Sequence, residues 1–242
     1  MGVISSPDYF YINGVSSEEV GLYVDTPPVP PMAVQRITKW STGFDMDSSS
    51  PDDVWENITL TINAYVFFPE SFDLGAVYAF LADARTLQLS RFSGRYLRVV
   101  QVNGITPQQQ HDGNRIKLQI KVTCQPFKYH TLNETYTLDN EHRILENPGT
   151  RYSRPLYYIN HSRAGDTMLS VNGEVLTIHK DATTPMYIDC EKMLAYDDNG
   201  LNLTKYTEGQ FPFLASGMNR LSVYAGGNHF YEFTVKGNWR DY

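Results

Sequence analysis

The chain has 242 residues, enough for one large domain or two of ordinary size. A hydrophobic fraction of 41% beside 19% charged residues fits packed globular structure and excludes a disordered chain. The formal net charge of −7, with no stretch that concentrates Lys and Arg, excludes a sequence-independent grip on a phosphate backbone.

The 17 Tyr and 12 Phe, together with 17 Gly and 13 Pro, favour short strands separated by turns. Cys124 and Cys190 are the two cysteines, and without a CxxC or a Cys/His cluster they read as reduced core residues. No secretory signal and no apolar window of roughly 18 residues is visible, so no membrane association is expected. "MGVISS" meets the myristoylation pattern through Gly2 and Ser6, but that pattern is too short to carry a lipid assignment. The sequons at Asn57, Asn133, Asn160 and Asn202 mean little without a secretory route.

In chain order, residues 8–24 read as two short strands around Asn13-Gly14, a pair that tolerates the positive φ of a tight hairpin. "TPPVPP" at 26–31 lacks the N–H groups a central strand needs, and reads as an extended linker or edge. Residues 41–53, "STGFDMDSSSPDD", are polar and rich in turn formers, which predicts a long exposed loop. "NITLTINAYVF" then alternates, with Ile58, Leu60 and Ile62 on one face. One helix is predicted, from Leu74, Val77, Tyr78 and Leu81 at i, i+3, i+4 and i+7, with Ser71 as its N-cap and Asp73 in its first turn. "GRYLRVVQVNGI" and "NRIKLQIKVTCQPF" follow as paired strands, with turns at Asn103-Gly104 and "HDGN". From about 145 onward the runs are short and alternating, with hairpins at Asn172-Gly173 and Asn199-Gly200, the pattern of a β-sandwich or jelly roll.

The motifs of catalysis are missing. There is no G-x-S-x-G, no G-x-G-x-x-G and no P-loop, and the six histidines show no metal-ligand spacing. "MYIDCEKMLAYDDNG", residues 186–200, concentrates carboxylates. On a strand, Met186, Ile188 and Cys190 alternate with Tyr187, Asp189 and Glu191, so the acids read as a wet face rather than a hydrolytic pair. A calcium loop starting at Asp197 fails, because Leu201 and Asn202 stand where an oxygen ligand and a glycine are needed. His179 reads as a solvated strand residue. Tyr157, Tyr158, Tyr187 and Tyr196 form a candidate glycan or partner face, since aromatic-lined sheets bind sugars and proteins alike.

Four stretches follow one another at characteristic spacing: Asn147-Pro148-Gly149, Asn172-Gly173, Ile188-Asp189 and Glu191 with Tyr196, and Phe211-Pro212 and Leu214 with Gly217 and Asn219. In that order they resemble the C-terminal domain of the siphophage distal tail protein (Dit) family. The first half is similar through "FYINGVSSEEVGLYV", the helix after "FFPESFDL" and the closing "CQPFKY". The resemblance implies a mainly β protein: an N-terminal, ring-forming β domain with one helix at 1–128, and a galectin-like β-sandwich at 129–242. It implies a structural role without catalysis or cofactor, as a homo-hexameric ring at a phage tail tip. That ring would join the tail tube protein to tip, baseplate and receptor-binding proteins, with DNA passing through unbound. Such a protein would assemble in the host cytoplasm and reside in the virion. The alternative is a glycan-binding sandwich serving as a host-surface adhesin. Against it, the His-x-Asn-x-Arg sugar signature of galectins is absent.

Overall fold

The computed structural model describes residues 8–41, 47–67, 73–108, 115–138, 143–161, 165–225 and 230–242. The chain divides into two compact units, Met1–Tyr129 together with Tyr242, and His130–Asp241. Both are built almost wholly from antiparallel strands, in agreement with the mainly β reading.

The first unit holds β1 (Phe10–Ile12), β2 (Val15–Ser16), β3 (Leu22–Thr26), β4 (Gln35–Ser41), β5 (Asp47–Trp55), β6 (Ile58–Phe67), α1 (Leu74–Ala82), β7 (Thr86–Leu89), β8 (Arg95–Gln108) and β9 (Arg115–His130). Seven of these strands run in the order β2-β1-β7-β8-β9-β6-β3, while β4 and β5 pair with each other. The β1–β2 hairpin turns at Asn13-Gly14 with φ of 52° and 85°, as the sequence predicts. Ile58, Leu60 and Ile62 of β6 are buried with Ile120 and Val122 of β9, and Val77 and Leu81 bring α1 onto the same core.

Four local expectations are corrected here. Residues 47–55 are not loop but strand β5, laddered on β4 with a register shift where Pro51 faces Ile37. Backbone pairing with a partner decides such a segment, whatever its side-chain propensities. Asn103-Gly104 lies inside β8, where the Asn103 side chain accepts a hydrogen bond from Thr123 Oγ1 on the neighbouring strand at 2.8 Å. The helix is capped by Asp73, whose carboxylate accepts from Gly75 N at 2.8 Å. Tyr78 faces solvent and Phe80, beside Phe10, packs inward instead. Ser71 and "HDGN" lie outside the described residues.

The second unit holds β10 (Thr135–Thr137), β11 (Arg143–Asn147), β12 (Leu156–His161), β13 (Thr167–Val171), β14 (Glu174–Ile178), β15 (Met186–Asp189), β16 (Leu194–Tyr196), β17 (Thr207–Gly209), β18 (Gly217–Ala225), β19 (Phe230–Lys236) and β20 (Arg240–Asp241). Two five-stranded sheets, ordered β10-β19-β12-β15-β16 and β11-β18-β13-β14-β17, share one apolar core. The first contributes Tyr157, Ile159, Ile188 and Val235; the second contributes Leu169, Leu176, Ile178 and Leu221. This is sandwich packing, each sheet burying alternate residues. Asn172-Gly173, with φ of 53° and 94°, joins β13 to β14 as the sequence predicts.

Candidate functional site

The residues singled out from the sequence fall into three places in the second unit. The first is a buried amide network that ties β11, β18 and the β13–β14 hairpin together. Asn219 Nδ2 donates to the carbonyls of Ala215 at 2.9 Å and Gly217 at 2.8 Å, with that of Leu145 at 3.4 Å. Its Oδ1 accepts from Asn172 Nδ2 at 2.8 Å, and Asn172 Oδ1 accepts from Arg220 N at 2.9 Å. Asn147, at the end of β11, donates to the carbonyls of Arg151 at 3.0 Å and Leu214 at 3.2 Å, while its Oδ1 accepts from Gly149 N at 2.9 Å. Asn147 and Asn219 are fully enclosed, so nearly all their hydrogen-bonding capacity is spent inside the protein.

Gly149 belongs to this corner because nothing larger fits. A Cβ there would lie 2.4 Å from the Arg240 carbonyl oxygen. Ser216 Oγ donates to the Gly149 carbonyl at 2.6 Å. Pro148 is exposed, Pro212 is buried, and Phe211 packs half-buried against the core. Gly217, at φ 83°, opens β18 in the left-handed region. These side chains hold strands in place; they do not form a reactive centre.

The second place is the stretch Met186–Gly200. Here the extended alternation predicted through Glu191 stops at Asp189. The chain turns at 190–193, where Met193 has φ 55°, and returns as β16. Asp189 is therefore not on a wet face but 8% exposed, its Oδ1 accepting from Glu191 N and Lys192 N, both at 3.0 Å. Lys192 Nζ completes the turn 2.9 Å from Asp189 Oδ2, and this hydrogen bond raises the lysine pKa. Asp197 likewise caps a second turn, accepting from Asn199 N and Leu201 N at 2.9 Å each. The Asp197–Gly200 turn thus follows β16 and does not join β15 to it. The carboxylates fold the chain by satisfying turn amides. Cys190 is buried as expected, and burial drives its thiol pKa upward.

The third place is the tyrosine row. Tyr157 leaves it: its ring is fully buried, stacked on Phe233 at 6.0 Å between centroids. Inward alternation on β12 places it there, which corrects its assignment to an exposed face. Tyr158, Tyr187 and Tyr196 do line up across β12, β15 and β16, with centroids 5.2 Å and 5.3 Å apart. Tyr187 and Tyr196 lie at 20° to each other and cover one another's faces. A sugar stacks on a free ring face, so this packing weakens the glycan reading. The Asp198 carboxylate hydrogen-bonds with the Tyr187 hydroxyl and pushes its pKa up, while partial desolvation does the same at Tyr158. His179 stands 3.9 Å from Asp166 and 4.0 Å from Glu208, and no group of three metal-ligating side chains occurs among the described residues.

No protein-family model matches the sequence, and no curated protein matches it. Among solved structures, the chain is similar to the crystal structure of the SPP1 Dit protein (gp 19.1), described as a paradigm of the hub adsorption apparatus in Gram-positive infecting phages. The likeness has a TM-score of 0.74 at 14% identity and covers 97% of this chain and 99% of that one. The resemblance to distal tail proteins read from the sequence is therefore borne out as a shared fold over essentially the whole length of both chains.

Proposed function

We propose that this chain is a structural hub protein of a long-tailed phage, placed at the tail tip and lacking a catalytic centre. The observation that carries the reading is the end-to-end likeness to the SPP1 hub protein, across two units rather than one common sandwich. In this reading the first unit builds a homo-hexameric ring around the DNA path, between the tail tube and the tip or baseplate proteins. The second unit, in the galectin-like position of the family, faces outward toward adhesion components. In this reading Asn147, Asn172, Asp189 and Asn219 are framework residues, whose side chains bond to the protein's own backbone and to one another.

A closed ring of identical subunits needs two different patches that meet head to tail. The arm at 27–34 supplies one kind of patch. It carries no strand pairing, anchors itself through Pro30 and Ala33, and exposes Val29, Met32 and Val34. An acidic chain repeated around a pore also keeps DNA from adhering to the wall.

Light scattering on the purified chain across a concentration series tests the reading. A mass near six subunits is expected, and the triple variant Val29→Ser, Met32→Ser, Val34→Ser should lower it. A chain that stays monomeric at every concentration, and also in the presence of its tail tube protein, would refute the ring.

A further inference from the structure

In the first unit, β7 accompanies β8 only over its opening residues. Thr86 pairs with Arg98 and Leu87 with Leu97, and the last bond runs from Val99 N to the Arg85 carbonyl at 2.7 Å. β8 continues to Gln108, and past Val99 no strand among the described residues covers that edge. α1 lies beside it instead, and a groove of about 580 Å³ opens between them. Tyr78 and Leu81 of α1, with Ala84 just after it, form one side; Val100, Val102 and Ile105 of β8 form the other. Tyr78 is 46% and Val100 53% exposed, and no charged side chain lines the groove among the described residues. An uncovered strand edge beside apolar side chains is a template for an added extended segment.

The chain itself carries such a segment. Residues 27–34 belong to no strand, and Pro27, Pro28, Pro30 and Pro31 hold them extended, so little conformational freedom is lost on docking. Val29, Met32 and Val34 are 77%, 73% and 64% exposed. Met32 and Val34 flank the buried Ala33 and so project on one side of the arm, about 7 Å apart. They do not serve the groove of their own subunit. Pro30 and Ala33 are buried in that subunit, the Val34 carbonyl accepts from Glu56 N at 2.9 Å, and the arm follows β3, three strands away from β8. No arm residue lines the groove.

We infer that the arm of a second copy of this chain docks in the α1–β8 groove, with Met32 and Val34 directed at Tyr78, Val100 and Ile105. The uncharged lining disfavours a charged segment, and residues 27–34 contain no ionisable side chain. Each subunit offers one arm and one groove, two different patches, which is what head-to-tail closure requires. A small apolar ligand would fill the groove but leave Val29, Met32 and Val34 in water. The inference rests on the ring reading and names the receptor for its arm.

The test is disulfide trapping between two separately made variants of the full chain, Met32→Cys and Val100→Cys, mixed when dilute, concentrated together and mildly oxidised. Both positions are exposed and the native Cys124 and Cys190 are buried, so circular dichroism and each variant alone supply the controls. Mass spectrometry should find the peptide around position 32 joined to that around position 100. The yield should exceed, at least about tenfold, that of Met32→Cys mixed with Met168→Cys, an exposed position of the second unit. Adding Tyr78→Asp to the Val100→Cys chain should lower it by about tenfold. No 32–100 link, a link no stronger than the control, or one indifferent to Tyr78→Asp would overturn the docking. Scattering on the parent chain reads the ring separately. A six-subunit mass without the link keeps the ring and removes this contact, whereas the link in a chain that never exceeds a dimer keeps the contact and sinks the closed ring.

Discussion

Replacing Asn219 by alanine separates a framework role from a contact role for the motif residues. The change removes two good donor bonds, to Ala215 O and Gly217 O, and the acceptor that holds Asn172. At a net 0.5–1.5 kcal/mol each, with buried carbonyls left unpaired, the loss is about 2–4 kcal/mol. For a unit of roughly 110 residues this lowers the midpoint by about 10–15 °C. Asn219→Asp is nearly isosteric but sets a carboxylate against carbonyl oxygens, so it should destabilise more than alanine does. Urea titration read by hydrogen exchange in β13 and β18 reports the second unit without interference from the first. If Asn219→Ala stays within about 0.5 kcal/mol of the parent and Asn219→Asp is no worse, the network is not what holds this corner.

Gly149→Ala should cost on the order of 1–3 kcal/mol, because its methyl group meets the Arg240 backbone rather than a side chain that can swing away; thermal unfolding checks it. Tyr157→Phe should be neutral or stabilise by up to about 1 kcal/mol, since the enclosed hydroxyl has no hydrogen-bond partner among the described residues; a drop in urea midpoint would contradict this. Burial pushes the Cys124 thiol up to about 12, from a model-compound value of 9.0. Its contribution is therefore complete below the unfolded value and is lost as pH rises from about 9 towards 12, because the unfolded thiol ionises first. Cys124→Ala should flatten the alkaline part of the stability–pH curve, and an unchanged slope would show that other groups set it.

What the sequence revealed depended on how local each cause was. Asn172-Gly173 announced its hairpin because positive φ is a property of the two residues themselves. The same dipeptide at 103–104 misled, since β8 continues through it on the strength of its pairing with neighbouring strands and the Asn103–Thr123 bond. The β5 strand was hidden for a related reason: a serine-rich run has no strand signature, and its ladder comes from β4. Asp189 was misplaced because alternation assumes that the strand continues. Asp189 ends it by accepting the amides of Glu191 and Lys192. Cys190 was read correctly for its burial, although the turn, not the strand face, puts it there.

The buried amide network of the second unit and the outward face of its sheet meet at Asn172, and that meeting separates scaffold from surface. Its side chain donates inward to Asn219 and accepts from the Arg220 amide, while the residue also lines an outward cavity beside Arg220. The asparagine network therefore fixes the backbone from which Arg220 projects. Losing Asn219 should loosen β18 and speed its hydrogen exchange, whereas R220E, at an outward position of the same strand, should leave that exchange nearly unchanged. A buried motif can thus govern an exposed face without reaching it, because a surface is only as rigid as the strand that carries it.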